Sequence, residues 1–116
     1  MDKDLAKRLF DFAVRVIKFC RGLSKTKDHD VIQYQLIKAA SSSGANYEEA
    51  QSASSRADFK YKIDISLREM RESNFWLRII KAVDGEDKEL NHLIQESFEL
   101  KQILGSISSK VATKKS

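Results

Sequence analysis

Glu89-Leu-Asn-His92 is a Glu-x-x-His match, the pairing that di-iron helix bundles place on their inward faces. Such a centre needs two of these motifs and a Glu from each of two further helices. Glu69-x-x-Glu72 lacks the imidazole, and His29 falls in a segment that reads as a loop. The residues therefore imply no metal site and no other cofactor, and His92 reads as a surface residue near Glu89 and Glu96. The serines cluster in the stretch 39–45 and in the C-terminal tail. Neither histidine has an evident serine partner with an orienting acid, so a hydrolytic relay is not expected. No glycine-rich phosphate loop is present. The expectation is a protein that is not an enzyme.

Cys20 stands among Val16, Ile17 and Phe19 without a local base, which suits a buried thiol acting as a small hydrophobe. One cysteine makes no internal disulfide, and the Met-Asp-Lys-Asp start has no apolar signal region. Both features point to the cytoplasm. No uncharged apolar run reaches the ~18 residues of a membrane span, so no membrane partner is expected.

The basic residues suggest a different chemistry. The net charge is +4, but without residues 110–116 the chain holds 18 basic against 17 acidic residues. The imbalance is regional: residues 2–21 carry +3, residues 60–81 carry +3 and residues 84–109 carry −4. Arg15, Lys18, Lys60, Arg68, Arg71 and Lys81, assisted by Lys110, Lys114 and Lys115, are the candidate contacts to nucleic-acid phosphates. Against this, Asp11–Arg15, Asp64–Arg68 and Arg68–Glu72 have the i,i+4 spacing of local ion pairs, which would make the same residues a solvated charged face. Opposite helix charges would also serve pairing between neighbouring helices or neighbouring chains.

The elements that position these groups are legible. With 116 residues, 41% apolar and 33% charged, the chain suits one core under a charged exterior. The absence of proline and the four glycines favour helices over sheet. Leu5, Leu9, Phe12, Val16, Phe19 and Leu23 follow steps of four and three, predicting a helix over about 3–21 with Gly22 as a left-handed stop. A second helix, about 30–53, starts at an Asp30/Gln33 capping box and carries Ile32, Leu36, Ala39, Ser43, Asn46 and Ala50 on its seam. Its small-residue stretch, 39–45, predicts a tight helix crossing. A third helix, about 57–83, begins at Ser55 or Asp58 and buries Phe59, Ile63, Ser66, Met70, Ser73, Leu77 and Ile80. Gly85 ends it, and Asp87 caps a fourth helix, about 87–110, on the seam Leu90, Leu93, Ser97, Leu100, Leu104, Ile107 and Val111. Residues 111–116 read as a frayed basic tail. The fold class is all-α: one domain, an antiparallel up-down four-helix bundle. A chain this size buries only about two-thirds of its unfolded surface, so self-association is a natural supplement.

One polar set does not read as plain surface. Asn46 falls on the second seam, and buried polar groups need partners. Asn46, Glu48, Glu49, Arg56, Asp58, Glu69, Arg71, Glu72 and Asn74 therefore read as a buried pairing network, with Asn46 bridging helices two and three. The same residues carry a resemblance. The run Ser42-Ser43-Gly44-Ala45-Asn46-Tyr47-Glu48-Glu49-Ala50 leads to Ser55-Arg56-Ala57-Asp58-Phe59, then to Lys62, Leu67-Arg68-Glu69, Glu72-Ser73 and Trp76-Leu77. This resembles the 23S ribosomal RNA intervening-sequence protein family, and Arg8, Phe12, Ala13, Val16 and Phe19 are similar to it too. The resemblance implies a four-helix bundle that assembles into a ring-like homopentamer, with no catalytic residues and a structural role for six network positions that match its motif, Asn46, Glu49, Arg56, Asp58, Glu69 and Trp76. Family genes lie inside insertions in 23S ribosomal RNA genes or stand alone. Relatives include accessory proteins of diversity-generating retroelements, which act with a reverse transcriptase and bind nucleic acid. An RNA-associated oligomer is thus the expected function; the alternative is a protein-interaction scaffold that binds no nucleic acid.

Overall fold

In the computed structural model, which describes the backbone of residues 2–114 and the side chains of residues 5–112, the chain forms four helices. They are α1 (Asp2–Cys20), α2 (Lys27–Ala50), α3 (Arg56–Asp84) and α4 (Lys88–Lys114). Each packs on its sequence neighbours, and α4 returns to α1, closing a bundle of 50 × 21 × 20 Å. The long axis follows from α3, whose 29 residues span about 43 Å at 1.5 Å per residue.

The seams form the core largely as the spacing dictates. Leu9, Phe12, Val16, Leu36, Ile63, Met70, Leu77, Leu90, Leu93, Leu100 and Leu104 are all essentially inaccessible. On α2 the seam passes through Tyr47 rather than Asn46, because the steps run 36, 39 or 40, 43, 47 and 50. Tyr47 supplies the large ring that fills this layer, 2% exposed. Asn46 moves to the flank and donates to the Ser42 carbonyl of its own helix at 2.9 Å. The bridge expected of Asn46 is instead made by Ser43 and Ser66. Each hydroxyl donates to the other residue's carbonyl at 2.8 Å, tying α2 to α3 inside the core. The small-residue stretch also lies against α1: a Cβ on Gly44 would meet Leu9 Cβ at 3.6 Å, an ordinary contact that leaves room for a methyl.

The helix ends correct several expectations. α2 begins three residues before the predicted Asp30. The Thr26 hydroxyl accepts from the His29 amide at 3.2 Å as the N-cap, and Asp28 and Asp30 occupy the first turn, where negative charge suits the helix dipole. α2 ends at Ala50, not 53, where successive amides from Gln51 to Ala53 bond three residues back. Gly22 is not left-handed. α1 closes with Gly22 and Leu23 amides bonding three residues back, and among the described residues only Gly85 has positive φ, at 92°. Ser55 caps α3 through the Asp58 amide at 3.0 Å, and Asp87 caps α4 through the Leu90 amide at 2.9 Å, both as expected. α4 runs past 110 to Lys114 where a frayed tail was predicted; Lys115 and Ser116 lie outside the described residues.

Candidate nucleic-acid interface

The nine predicted basic contacts separate into distinct groups. Arg15 reaches across to α4 while its side chain stays 45% exposed: Nε and Nη2 grip both Glu89 oxygens at 3.0 and 2.7 Å, and Nη1 donates to His92 Nε2 at 2.8 Å. Hydrogen bonding to Arg15 holds the Glu89 carboxyl below the ordinary range. Beside it Arg8 grips Glu96 at 2.8 and 3.0 Å and reaches Glu99 at 3.0 Å. The opposite charges of α1 and α4 thus pair within one chain. The Glu-x-x-His match is absorbed by this seam, since Glu89 and His92 both turn to Arg15. The expected pairs Asp11–Arg15 and Asp64–Arg68 do not form; Asp11 takes Lys7 at 2.8 Å and Asp64 takes Lys60 at 2.8 Å. For Arg15 a distant neighbour displaces the local one because a bidentate arginine–carboxylate fork is the stronger geometry, while Asp11 and Asp64 each take the lysine four residues earlier.

Lys60 also donates to Ser108 of α4 at 3.1 Å, and Ser108 donates to Asp64 at 2.5 Å. Burial opposes ionisation of Asp64, but Lys60 and Ser108 together keep its carboxyl below the usual value. Lys60 is therefore engaged, and Lys81 pairs with Glu86 at 3.5 Å. Lys18 is exposed and carries no hydrogen bond or ion pair among the described residues. Lys110 is exposed near the end of α4; nothing is described of the Lys114 side chain or of Lys115.

Arg68 and Arg71, like Lys18, remain open to solvent. Both are exposed on the outer face of α3, and neither forms a hydrogen bond or ion pair with a described residue. The helical repeat places Tyr61, Arg68, Arg71, Phe75 and Arg78 along this same face, opposite the buried Ile63, Met70 and Leu77. Tyr61 is 64% exposed and Phe75 45% exposed. The Trp76 ring meets Phe75 edge-on, with centroids 5.2 Å apart, and the Arg78 guanidinium stands 5.9 Å from the Phe75 centroid. Arg78 is held there by Asn74, whose Oδ1 accepts from Arg78 Nε at 2.8 Å. Asn74 in turn donates to the buried Ser97 hydroxyl of α4 at 2.9 Å, so a core contact fixes a surface guanidinium. Sequence reading named Arg68 and Arg71 but not Tyr61, Phe75 or Arg78. The exposed aromatics at helical spacing with arginine were the available signal.

Carboxylates flank the stripe. Glu69 sits half-buried, and burial together with the charge of Glu72 raises its carboxyl above the ordinary range. Glu72 accepts from Trp76 Nε1 at 3.1 Å.

The six predicted network residues are not joined to one another. Asp58 accepts from the Ser54 amide and pairs with Lys62, Trp76 bonds Glu72, Asn46 bonds Ser42, and Glu49 and Arg56 are exposed without a bond to a described residue. A cluster that sequence reading missed lies at one end of the bundle. His29, expected in a loop, is buried in the first turn of α2, where Nε2 donates to the Asp84 carboxylate, 3.0 Å from each oxygen, and Nδ1 meets the Thr26 hydroxyl at 2.5 Å. It latches the start of α2 to the end of α3. Residues 55 positions apart give no local signal of such a pair. Cys20 is fully buried as expected, and desolvation pushes its thiol up to about 11. No helix of the described residues is long and apolar enough to cross a membrane.

No curated protein matches the chain. Among solved structures, it is similar to a protein of unknown function from the S23 ribosomal protein family of Bacteroides thetaiotaomicron VPI-5482. The identity is 30% and the TM-score 0.81, with 90% of this chain and 97% of that one covered. The family model for the 23S rRNA-intervening sequence protein matches residues 1–106. The closed four-helix bundle is thus a shared architecture, and the chain belongs to the 23S rRNA-intervening sequence protein family.

Proposed function

We propose that the chain is a non-catalytic, self-associating bundle of the cytoplasm that works as an RNA-associated accessory protein. The observation that carries this reading is the pair Arg68 and Arg71, exposed on one face of α3 beside Tyr61 and Phe75 and without a hydrogen bond or salt bridge to a described carboxylate, while Arg8, Arg15 and Lys60 are taken up by carboxylates within the chain. Unpaired guanidiniums on one helix face release counterions when phosphates bind, which gives salt-dependent, largely sequence-blind affinity. Self-association is supported by a second surface. Phe10 is 62% exposed beside a groove of about 330 Å³ between α1 and α2, where Ala13, Val14, Ile17, Ser41, Gly44 and Ala45 bring small or apolar groups to solvent. Covering it with another copy would remove apolar area from water, and a ring would repeat the α3 stripe with the avidity that repetition brings. A homopentamer is the expected stoichiometry from the family resemblance.

The test is binding of a fluorescent structured RNA at low and near-physiological salt, with native mass measured on the same sample. The expected result is affinity that falls steeply with salt and is lost in an Arg68→Gln/Arg71→Gln double variant whose mass is unchanged. Absence of binding at low salt by an intact oligomer overturns the RNA reading. The protein-interaction scaffold, which the apolar α1–α2 groove favours, would then stand.

A further inference from the structure

We infer that the outer face of α3 takes an unpaired RNA strand rather than a duplex, with Phe75 as a base-stacking platform and Arg68 and Arg71 as its phosphate contacts. The inference rests on the RNA reading above and adds the kind of RNA. Phe75 leaves nearly half its surface to solvent, although the bundle buries every leucine of its seams. The ring is braced rather than loose: Trp76 abuts it edge-on and Arg78 stands over it, itself anchored through Asn74 to Ser97 in the core. A positioned aromatic beside a positioned guanidinium offers a base two planar partners, one apolar and one cationic.

A duplex cannot use that offer. Its bases are stacked on one another, and it presents phosphates and sugars to a convex helix, which would satisfy Arg68 and Arg71 but leave the phenyl ring uncovered. An unpaired strand satisfies both, because each nucleotide brings a phosphate and a free π-face. Tyr61 lies fourteen residues earlier on the same face, about 21 Å along the axis at 1.5 Å per residue, and extends the track. The half-buried Glu69 and Glu72 on one flank would repel a second backbone approaching beside the first.

The experiment is fluorescence anisotropy on the full chain, using a labelled 12-nucleotide unstructured RNA and the same strand annealed to its complement. Wild type, Phe75→Leu, Phe75→Trp and Arg71→Gln are compared across a salt series, with thermal melts confirming that each is folded. Wild type is expected to hold the single strand at least about tenfold more tightly than the duplex. Phe75→Leu, which keeps an apolar side chain at an exposed position, should weaken strand binding about 5- to 100-fold, the range that base–aromatic stacking carries. It should leave duplex binding and the salt slope unchanged, and Phe75→Trp should retain wild-type affinity. Arg71→Gln should weaken both forms and lower the strand's salt slope by about 0.7. If strand and duplex bind alike and Phe75→Leu alters neither while Arg71→Gln weakens both, the single-strand inference falls and the RNA reading stands. If wild type binds neither form at low salt, both fall.

Discussion

The α1–α4 seam and the outer face of α3 carry the same kinds of residue and use them in opposite ways. On the seam, Arg8 and Arg15 each meet a carboxylate through two nitrogens, and the charges of α1 and α4 cancel across the helix pair. On α3, Arg68 and Arg71 face solvent without a hydrogen bond or salt bridge to a described carboxylate, with only the charges of Glu69 and Asp64 near them, and Arg78 is held by an amide and a ring. The carboxylates report the same contrast: Arg15 draws the Glu89 carboxyl down, whereas burial and Glu72 push the Glu69 carboxyl up. A count of lysines and arginines is therefore a poor guide to a phosphate-binding surface. What matters is which cations the fold has already neutralised.

The sharpest way to break this contrast is charge reversal on each side. Arg68→Glu/Arg71→Glu is expected to weaken RNA binding by about 100-fold or more at low salt, since it removes two phosphate contacts and adds two like charges. Arg15→Glu should change it by less than about threefold. Equal losses in an anisotropy titration would show that the two faces do not differ as described. Next in size is the joint between core and stripe. Asn74→Ala strips the Ser97 hydroxyl and the Arg78 guanidinium of a partner, and should cost about 1–3 kcal/mol in urea unfolding. A similar change at partly buried Asn91 on α4, whose Nδ2 bonds only the exposed Glu86, should cost less.

Smaller again are the glycines. Gly105 lies within α4, and a Cβ there would meet nothing within 4 Å; Gly44 would gain only an ordinary contact with Leu9. Each Gly→Ala change should raise stability by up to about 1 kcal/mol, read from denaturant midpoints. A loss at Gly44 would mean that the α1–α2 crossing is tighter than its 3.6 Å contact indicates.

The smallest expected effects are in pH dependence, and they have opposite signs on the two surfaces. Glu89 has a lowered folded pKa, so its contribution is present above its ordinary 4.5 and is lost as pH falls through the folded value. Glu89→Gln should therefore lower the denaturant midpoint at pH 7 slightly and leave it unchanged near pH 3, while freeing Arg15 to strengthen RNA binding a few-fold. Glu69 has a raised folded pKa, so its stability is present below 4.5 and lost as pH rises. Glu69→Gln should raise the midpoint at pH 7 and not at pH 3. Finding the same sign for both variants would remove the electrostatic distinction between the seam and the stripe.

The sequence by itself determined the four helices, most of their caps and nearly all of the core. These depend on local periodicity: apolar residues at steps of three and four define one face whichever partner covers it, and Ser55 and Asp87 cap amides only three residues away. The family was legible for a related reason, in the run from Ser42 to Phe59 that forms the close-packed end of α2 and the entry to α3. Tertiary structure alone decided how the polar groups are partnered. Asn46 and Tyr47 are neighbours in the chain, and which of them faces α3 depends on a helix phase accumulated over five turns. Arg15 has a carboxylate at i−4 and chooses one 74 residues away, and His29 reads as a loop residue until Asp84 arrives from 55 residues away. Long side chains reach several partners of similar energy, so spacing cannot rank them. Only the docking of α4 on α1, and of the end of α3 on the start of α2, selects which charges are paired and which remain for a ligand.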